Sequence, residues 1–439
     1  MKVVEHTGPL AGVVVLEFTQ IIAGPFCCQL LSDMGASVTK FEPIGGEPWR
    51  AGGAPIVPTE SRVYIGLNRG KRCIEMDLRQ PEAREIVHRL IPEVDVVVIN
   101  YRPGVAESLG IDYDTLSALN PRLIYCENTA YGRTGPLSRA GGYDIVVQSF
   151  TGLMAGEAKM QGEVPTYIYP AIADFATGMQ MASSISAALF ARVRTGRGQR
   201  IDSTMLATAL SMQTMSFNWI DMVDDDVLPA LLSELKQARA DQKSFQEQLA
   251  IKGKYRPAAA ANVYYRVYQT ADGFVTIGAL SPALRDKVVA ATGIQDPRRI
   301  GEGAWNMQLE TFGPEAQAAI VEQAEGILRS KTTDEWMAIF TRHGVPAGPL
   351  NFLEELFDHP QTEANGLTVD VEHAILGHMR MVGPAFQMSD TPLAAQGASP
   401  TLGAHTDEVL AEAGLDEAAI AARAAGAGGG GGPRRLRRQ

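Results

Sequence analysis

Short apolar runs alternate with amphipathic segments along the first part of the chain. Gly12–Phe18 is an apolar run with β-branched residues, which predicts a buried strand. Phe26–Met34 has the pattern of a helix that ends at Gly35, and Ser37–Phe41 predicts a second strand. A strand, a helix and a strand within about 30 residues make a βαβ unit.

The same alternation continues through the next eighty residues. Further predicted elements are a helix over Pro81–Ile91, a strand over Val94–Ile99, a helix near Asp114–Leu119 and a strand over Leu123–Cys126. Repeated alternation of this kind implies a parallel sheet with helices on both faces. We therefore expect an α/β fold with a Rossmann-like large domain.

Asp174 begins the next predicted helix, which extends to Arg194 and ends at Gly196. Gln199–Asp202 is short and extended. A second helix is predicted over Met205–Phe217.

The pattern changes after this point. Asp224–Lys254 is charged and predicts a linker helix, whereas Val263–Leu280 alternates and contains an Asp-Gly turn typical of a strand-turn-strand unit. We expect a smaller α/β domain there, joined by long linkers. The predicted parts are a large domain over 1–205, a helical linker over 206–257, the small α/β domain over 258–351, a return linker over 352–400, a C-terminal part of the large domain over 401–425 and a disordered tail over 426–439.

Composition narrows the class of protein. The formal net charge of −11 argues against nucleic acid as a main partner, because that role needs a basic face. The four cysteines include no CxxC pair, so neither a zinc site nor a disulfide framework is expected. No run is long enough to span a bilayer and no signal peptide is recognised, so we expect a cytoplasmic protein without membrane contacts.

Two segments could hold an anionic ligand. Ala23-Gly24-Pro25 joins a predicted strand to a helix N-terminus, where backbone N–H groups can bind phosphate, although a tight turn explains the same residues. Asn68–Arg72 and Arg79 collect cations, and Asn100–Gly104 adds another directly after a strand. Cations at strand ends suit a phosphorylated ligand, and a solvated surface remains the alternative.

Asp174 is the most interesting single residue. An aspartate at the start of a helix usually caps it. The same place favours an ionised carboxylate and offers backbone N–H donors for an oxyanion, so a nucleophilic role is compatible. His405 favours a structural role, and no GxSxG motif supports a serine hydrolase.

The motifs together resemble the family III CoA-transferases, the group of formyl-CoA transferase, carnitine CoA-transferase and α-methylacyl-CoA racemase. The resemblance runs from Pro9 to about Ala425 and depends on co-linear motifs. These are Pro9–Gly12, Ala23–Pro25, Asn68–Arg72, Arg102–Gly104, Asn120–Ile124, Thr195–Gln199, Gly344–Gly348 and Leu402–His405.

The resemblance implies a function and a site. Asp174, which precedes Thr177-Gly178, would be the catalytic carboxylate that forms a covalent intermediate, with coenzyme A entering as an acyl-CoA substrate and no metal required. It also implies a homodimer of two interlocked rings. The implied CoA or substrate contacts, with two cations of the basic cluster, are Ile22, Ala23, Met76, Arg79, Asn100, Tyr101, Arg102, Gly141, Gly142, Tyr143, Asp144, Lys71 and Arg72.

Two departures bear on the activity. The racemase branch has a histidine where this chain has Tyr143, and a tyrosine with a pKa near 10 is a poor base at neutral pH, which favours transfer over racemisation. An α-methylacyl-CoA racemase or an inactive CoA-binding paralogue remains the alternative. Formyl-CoA transferase has a glycine-rich loop where this chain has Pro257–Ala261, which argues against formyl-CoA and oxalate as the substrate pair.

Overall fold

The computed structural model of the protein describes residues 6–256, 262–306 and 313–420. The chain forms two compact units. The larger is built from the described residues up to Ile220 and from Ala364 onward, and the smaller spans Asp221–Glu363. Residues 257–261 and the tail predicted over 426–439 lie outside the described residues, and the finer domain boundaries stay predictions.

The first part of the larger unit follows the predicted alternation. Its strands are β1 (Val14–Phe18), β2 (Ser37–Glu42), β3 (Pro55–Val57), β4 (Glu60–Ser61), β5 (Arg72–Glu75), β6 (Val96–Ile99), β7 (Ile124–Thr129), β8 (Met160–Gln161), β9 (Val164–Pro165) and β10 (Gln199–Thr204). Its helices are α1 (Ala23–Asp33), α2 (Pro48–Ala51), α3 (Arg62–Leu67), α4 (Pro81–Leu90), α5 (Val105–Leu109), α6 (Tyr113–Leu119), α7 (Asp144–Phe150), α8 (Leu153–Glu157), α9 (Ile172–Thr195) and α10 (Met205–Ser211), with a 3₁₀ turn over Ile91–Glu93.

Six of these strands form one parallel sheet in the order β10-β7-β6-β1-β2-β5. Counted along the chain, this order is 3-2-1-4-5-6, that of a doubly wound nucleotide-binding fold. The predicted parallel α/β architecture is confirmed. The order reverses between β1 and β6, and the crevice outside the carboxyl ends of those two strands is where such sheets bind ligands.

Both faces of the sheet are covered. Along β1, Leu16 and Phe18 pack into one apolar core with Ile99, whereas Val15 packs into a second core with Val98. Strands that are buried on both sides read as continuous apolar runs, which is why the sequence shows runs here and not alternation.

The smaller unit begins with helices. In chain order its elements are α11 (Asp221–Asp224), α12 (Val227–Ala240), α13 (Phe245–Tyr255), β11 (Tyr265–Gln269), β12 (Phe274–Gly278), α14 (Pro282–Thr292), β13 (Arg299–Gly301), β14 (Ala304–Trp305), α15 (Pro314–Leu328), α16 (Thr333–His343), β15 (Ala347–Pro349), a 3₁₀ turn over Leu353–Leu356 and α17 (Pro360–Ala364). Strands β11, β12 and β15 form an antiparallel sheet, and its core includes Tyr268, Ile277 and Phe340.

The chain then re-enters the larger unit with β16 (Thr368–His373), β17 (Gly377–Val382) and α18 (Thr406–Glu412). The predicted structural role of His405 agrees with its contacts, because its Nδ1 accepts the N–H of Cys73 at 3.1 Å. All four cysteines are buried and free, Cys27 and Cys28 among them.

Two predicted helices are wrong in extent. The single linker helix over Asp224–Lys254 is broken, because α12 ends at Ala240 and Ser244 starts α13 with a capping box to Glu247. That Ser-x-x-Glu pattern is visible in the sequence and marks a new helix start. The helix predicted over Met205–Phe217 ends at Ser211, where it continues only as turns.

Candidate active site

A cleft opens at the carboxyl edge of the large sheet, at the point where the strand order reverses. Its walls are Gln20–Ile21 after β1, Asn100–Pro103 after β6, Asn128–Ala130 at the end of β7, Ala140–Tyr143 before α7, and single residues from α9 and α10, Asp174 and Met205. Segments far apart in the chain meet here because parallel strands all end at the same edge.

Asp174 reaches the cleft from the first turn of α9. Its side chain is buried, with only 7% of the residue exposed. The sequence placed Asp174 at the helix start, but Ala171 is the N-cap and Asp174 is the third helical residue. Since alanine has no side-chain acceptor, α9 needs a cap from elsewhere.

Asp144 provides that cap. Its Oδ1 accepts the N–H groups of Ala173 and Asp174 at 2.8 and 3.1 Å. Gln148 donates to the other carboxylate oxygen of Asp144 and accepts the N–H of Ile168 at 2.8 Å. Two of the N–H donors that the sequence assigned to an oxyanion are therefore already bonded to Asp144.

The surroundings of Asp174 oppose its ionisation. Burial, the largest cause, and the neighbouring Asp144 carboxylate raise the pKa of its carboxyl, the N–H of Ala23 lowers it, and the resulting value is about 7. Burial also raises the pKa of Asp144. The expectation that the start of the helix favours an ionised Asp174 carboxylate is corrected, because at a pKa of about 7 the protonated and ionised forms coexist at neutral pH.

The N–H that favours the ionised form comes from the start of α1. Helix α1 begins at Ala23, and the side chain of its N-cap residue, Ile22, accepts no hydrogen bond from the helix. Asp174, which belongs to α9, interacts with the N–H of Ala23 instead. A helix N-terminus stabilises a negative charge nearby. The Asp174 carboxylate therefore lies between a pocket that disfavours its negative charge and a helix end that favours it.

Gly178 makes this approach of α1 to α9 possible. A Cβ at Gly178 would lie 2.8 Å from the carbonyl oxygen of Ala23 and 3.0 Å from Cδ1 of Phe26. Because Gly178 lies one turn after Asp174, the missing side chain brings the start of α1 within reach of the carboxylate. The close packing of α1 against α9 therefore explains the glycine of the Thr177-Gly178 pair.

The turn that leads into α1 is tied to β6. Asn100 accepts the N–H of Gln20 at 2.9 Å and donates to the Gln20 carbonyl at 2.8 Å. Next to it, Ile21 has a φ of +71°. A β-branched residue rarely adopts that conformation, and such outliers concentrate at functional sites.

Comparison with known proteins identifies the family. The sequence model of CoA-transferase family III matches residues 10–406. The chain belongs to this family. It is 34% identical to a succinate–glutarate CoA-transferase of Agrobacterium fabrum, over 92% of this chain and 95% of that protein.

Two further similarities agree with this family III assignment. The chain is 30% identical to the human succinyl-CoA:glutarate CoA-transferase, over 92% of this chain and 86% of the human protein. A crystal structure of a CAIB/BAIF family protein from Brucella suis is 30% identical, with a TM-score of 0.70 over 93% of this chain and 100% of that chain. The chain is thus an enzyme of the CoA-transferase class, and neither the racemase nor the inactive paralogue is favoured.

The walls of the cleft contain half of the fourteen predicted site residues. Residues in the walls of the cleft are Asn100, Tyr101, Arg102, Gly141, Gly142, Tyr143 and Asp174. Ile22 and Ala23 follow the cleft residue Ile21 directly. Arg102 lies against the glycine segment, since a Cβ at Gly141 would meet its Nε at 3.2 Å.

The other predicted contacts lie outside the cleft walls. Met76 is buried in the apolar core, and Arg79 is exposed and pairs with Asp77 at 2.8 Å. Lys71 is fully buried, with its Nζ 2.9 Å from Glu17, and Arg72 is paired with Glu412. The basic cluster noticed in the sequence is therefore mostly internal ion pairing in this structure.

Several cleft residues were not predicted. Gln20 and Ile21 precede the predicted Ile22, and Asn128 and Thr129 end β7. The rule that ligands bind beyond strand ends pointed to these positions, because each follows or closes a predicted strand. Met205 gave no sequence signal.

The described residues form no helix with the length and hydropathy needed to span a membrane. Within the same residues, no group of three or more histidine, cysteine, aspartate or glutamate side chains could hold a metal ion.

Proposed function

We propose that this enzyme moves coenzyme A from an acyl-CoA to a carboxylic acid through a covalent intermediate on Asp174. One observation supports the nucleophile most directly. The Asp174 carboxylate lines the cleft at the switch point of the sheet, and the N–H of Ala23 at the start of α1 lowers its pKa. A carboxylate that is both accessible and poorly solvated is a stronger nucleophile than one in water.

The first step is an attack by one Asp174 oxygen on the thioester carbonyl carbon. A C–O bond forms, the C–S bond breaks, and the thiolate of CoA leaves, so the enzyme holds a mixed anhydride. The thiolate then attacks the aspartyl carbonyl, which releases the donor acid and leaves an aspartyl thioester. The acceptor carboxylate repeats these two steps in reverse and leaves as its CoA thioester.

Three groups of the chain would stabilise charge or hold Asp174 in place. The start of α1 presents the Ala23 N–H toward the reacting carboxyl, which would favour negative charge that develops there. Arg102 is exposed at the rim and would meet an anionic group of CoA or of the acid. The Asp144 carboxylate keeps α9 capped and so keeps Asp174 in place.

A dicarboxylic acid is the acceptor class that we propose. Two relatives that match over most of their length carry succinate and glutarate in their names. Each such acid has one carboxylate for the reaction and a second that an arginine could bind. We therefore expect succinyl-CoA and glutarate to be the first productive pair.

We also propose that the protein forms a homodimer. Helix α9 exposes large apolar side chains, with Phe190 at 65% and Val193 at 83% exposure. Apolar side chains exposed along one helix are typical of a surface that another chain covers. The cytoplasmic location stays a prediction.

Steady-state kinetics test the proposal. We expect parallel lines in double-reciprocal plots of succinyl-CoA against glutarate, because in this scheme the donor acid leaves before the acceptor reacts. Asp174→Asn should lower kcat by about 10⁴-fold or more, because an amide cannot act as the nucleophile. Asp241→Asn, at an exposed carboxylate on the smaller unit, is the matched control. An Asp174→Asn enzyme with the activity of the parent would contradict the proposal, whereas intersecting lines would show only that the donor acid stays bound until the acceptor has entered.

A further inference from the structure

Ile21 is a strained residue in the wall of the cleft. Its φ of +71° lies in the left-handed region, where a β-branched side chain crowds the backbone. Such a conformation persists only when neighbouring groups hold it. The contacts of Ile21 therefore show what maintains this wall.

The hold on Ile21 comes from Glu47, a residue on a different segment. Oε2 of Glu47 accepts the Ile21 N–H at 2.8 Å. Glu47 is 3% exposed and lies between β2 and α2. A hydrogen bond to a buried carboxylate is among the stronger ones in proteins, so it can offset backbone strain.

Glu47 is itself fixed by charged neighbours. Its carboxylate lies 3.2 Å from Nζ of Lys40, and its own N–H donates to Glu42 at 3.0 Å. Lys40 also donates to the carbonyl of Thr19 at 2.8 Å and pairs with Glu17 at 2.9 Å. The strand-to-helix turn is thereby tied to buried side chains of β1 and β2.

The conformation of Ile21 sets the entry of the chain into α1. Ile22 follows as the N-cap, and Ala23, the first helical residue, directs its N–H at Asp174. If Ile21 relaxed to a negative φ, the two residues after it would change direction. The Ala23 N–H would then leave the carboxylate.

We infer that Glu47 is a positioning residue for CoA transfer: it holds Ile21 in the left-handed conformation and so keeps the start of α1 directed at Asp174. This inference rests on the proposed function of Asp174. It assigns to Glu47 a task that acts through the backbone and not through contact with a substrate.

A double-mutant cycle separates this task from simple stability. Glycine adopts a positive φ without strain, so in Ile21→Gly the turn no longer needs the hydrogen bond to Glu47 to keep its conformation. Glu47→Met removes the acceptor and fills a similar volume. We expect Glu47→Met to lower kcat/KM for succinyl-CoA and glutarate about tenfold in the parent chain and less than about twofold in the Ile21→Gly chain. Glu47→Gln retains an oxygen acceptor and should stay within about threefold of the parent.

The pH profile gives a second readout. Asp144 and the Ala23 N–H are the polar groups that act on Asp174, and loss of the N–H removes the one that favours ionisation. Glu47→Met should therefore shift the acid limb of kcat/KM to higher pH. Glu60→Ala removes another buried carboxylate, whose ion-pair neighbours are Arg50 and His373, and should leave the limb in place.

Each result of these mutant experiments either supports or overturns the positioning role of Glu47. A crystal structure of Glu47→Met with Ile21 at negative φ supports the inference, as does recovery of folding or activity by Ile21→Gly. An equal loss of activity in both backgrounds, an Ile21 that keeps its positive φ, or failure of both proteins to fold assigns Glu47 to stability alone and overturns it. Absence of an acyl adduct on Asp174 in the parent enzyme contradicts the proposed function separately, whatever the cycle shows.

Discussion

The ionisation of Asp174 sets the pH range in which the enzyme should work. Burial and Asp144 raise the pKa of this carboxyl to about 7, and only the ionised form is a nucleophile. We predict that kcat/KM falls tenfold for each pH unit well below 7 and levels off above it. A pH profile with substrates that do not titrate in this range is the measurement. A limb near pH 4 would contradict the buried state of Asp174.

The neighbouring carboxylate should contribute to that limb. Asp144→Asn removes a negative charge beside Asp174 and retains an oxygen that can cap α9. We predict that the acid limb shifts to lower pH, by less than the whole displacement, since burial is the larger cause. The same pH profile, compared with the parent enzyme, measures the effect. An unchanged limb would show that the two carboxyls do not interact.

The same burial should reduce stability. An aspartate has a pKa near 3.9 when unfolded, and the folded value is higher, so the folded state prefers the protonated form. Folding is destabilised progressively as pH rises from 4 to 7. Asp174→Asn should therefore raise the free energy of unfolding by a few kcal/mol at pH 8 and by little at pH 4, as urea titrations at both values would show. An equal effect at both pH values would contradict this.

The basic residues divide into structural and exposed ones. Lys71 is buried between Glu17, Asn68 and the carbonyl of Pro25, so Lys71→Met leaves a buried carboxylate with one partner fewer. We predict a loss of about 3–5 kcal/mol in the free energy of unfolding. Arg79→Ala, at a side chain that is 83% exposed, is the control and should change it by less than about 0.5 kcal/mol. Comparable losses in urea titrations would contradict the assignment.

At the scale of elements, the active site depends on the contact of α1 with α9. Gly178→Ala would place a methyl group 2.8 Å from the Ala23 carbonyl and push the two helices apart. We predict a loss of about 1–3 kcal/mol in the free energy of unfolding and a lower kcat. Gly253→Ala is the matched control, because nothing lies within 4 Å of its added carbon in α13. Unchanged activity in Gly178→Ala would contradict the role of this helix contact.

Elements were more predictable than their junctions. Apolar runs predicted β1, β6 and β7, because strands buried on both faces have little choice of residue. The cap of α9 was not predictable, because it comes from Asp144, 30 residues away from the helix residue that it caps. The break between α12 and α13 had a local signal at Ser244 that charge along the segment concealed.

At the scale of the molecule, the sheet order explains the site. Strands β1 and β6 are adjacent although far apart in the chain, and their ends bring Gln20–Ile21 beside Asn100–Arg102. The alternation of elements predicted a parallel sheet, and the resemblance to family III supplied Asp174. Neither could supply Glu47, because its contact with Ile21 depends on how a loop folds back in space.

The covalent role of Asp174 is the central claim, and a chemical trap tests it most directly. The enzyme would be incubated with succinyl-CoA without acceptor, quenched with hydroxylamine and digested, with Asp174→Asn treated alongside. Mass spectrometry should find a hydroxamate on Asp174 in the parent enzyme that requires succinyl-CoA and is absent from the variant. An enzyme that transfers CoA to glutarate but yields no Asp174 adduct, or yields one on another residue, would contradict the account.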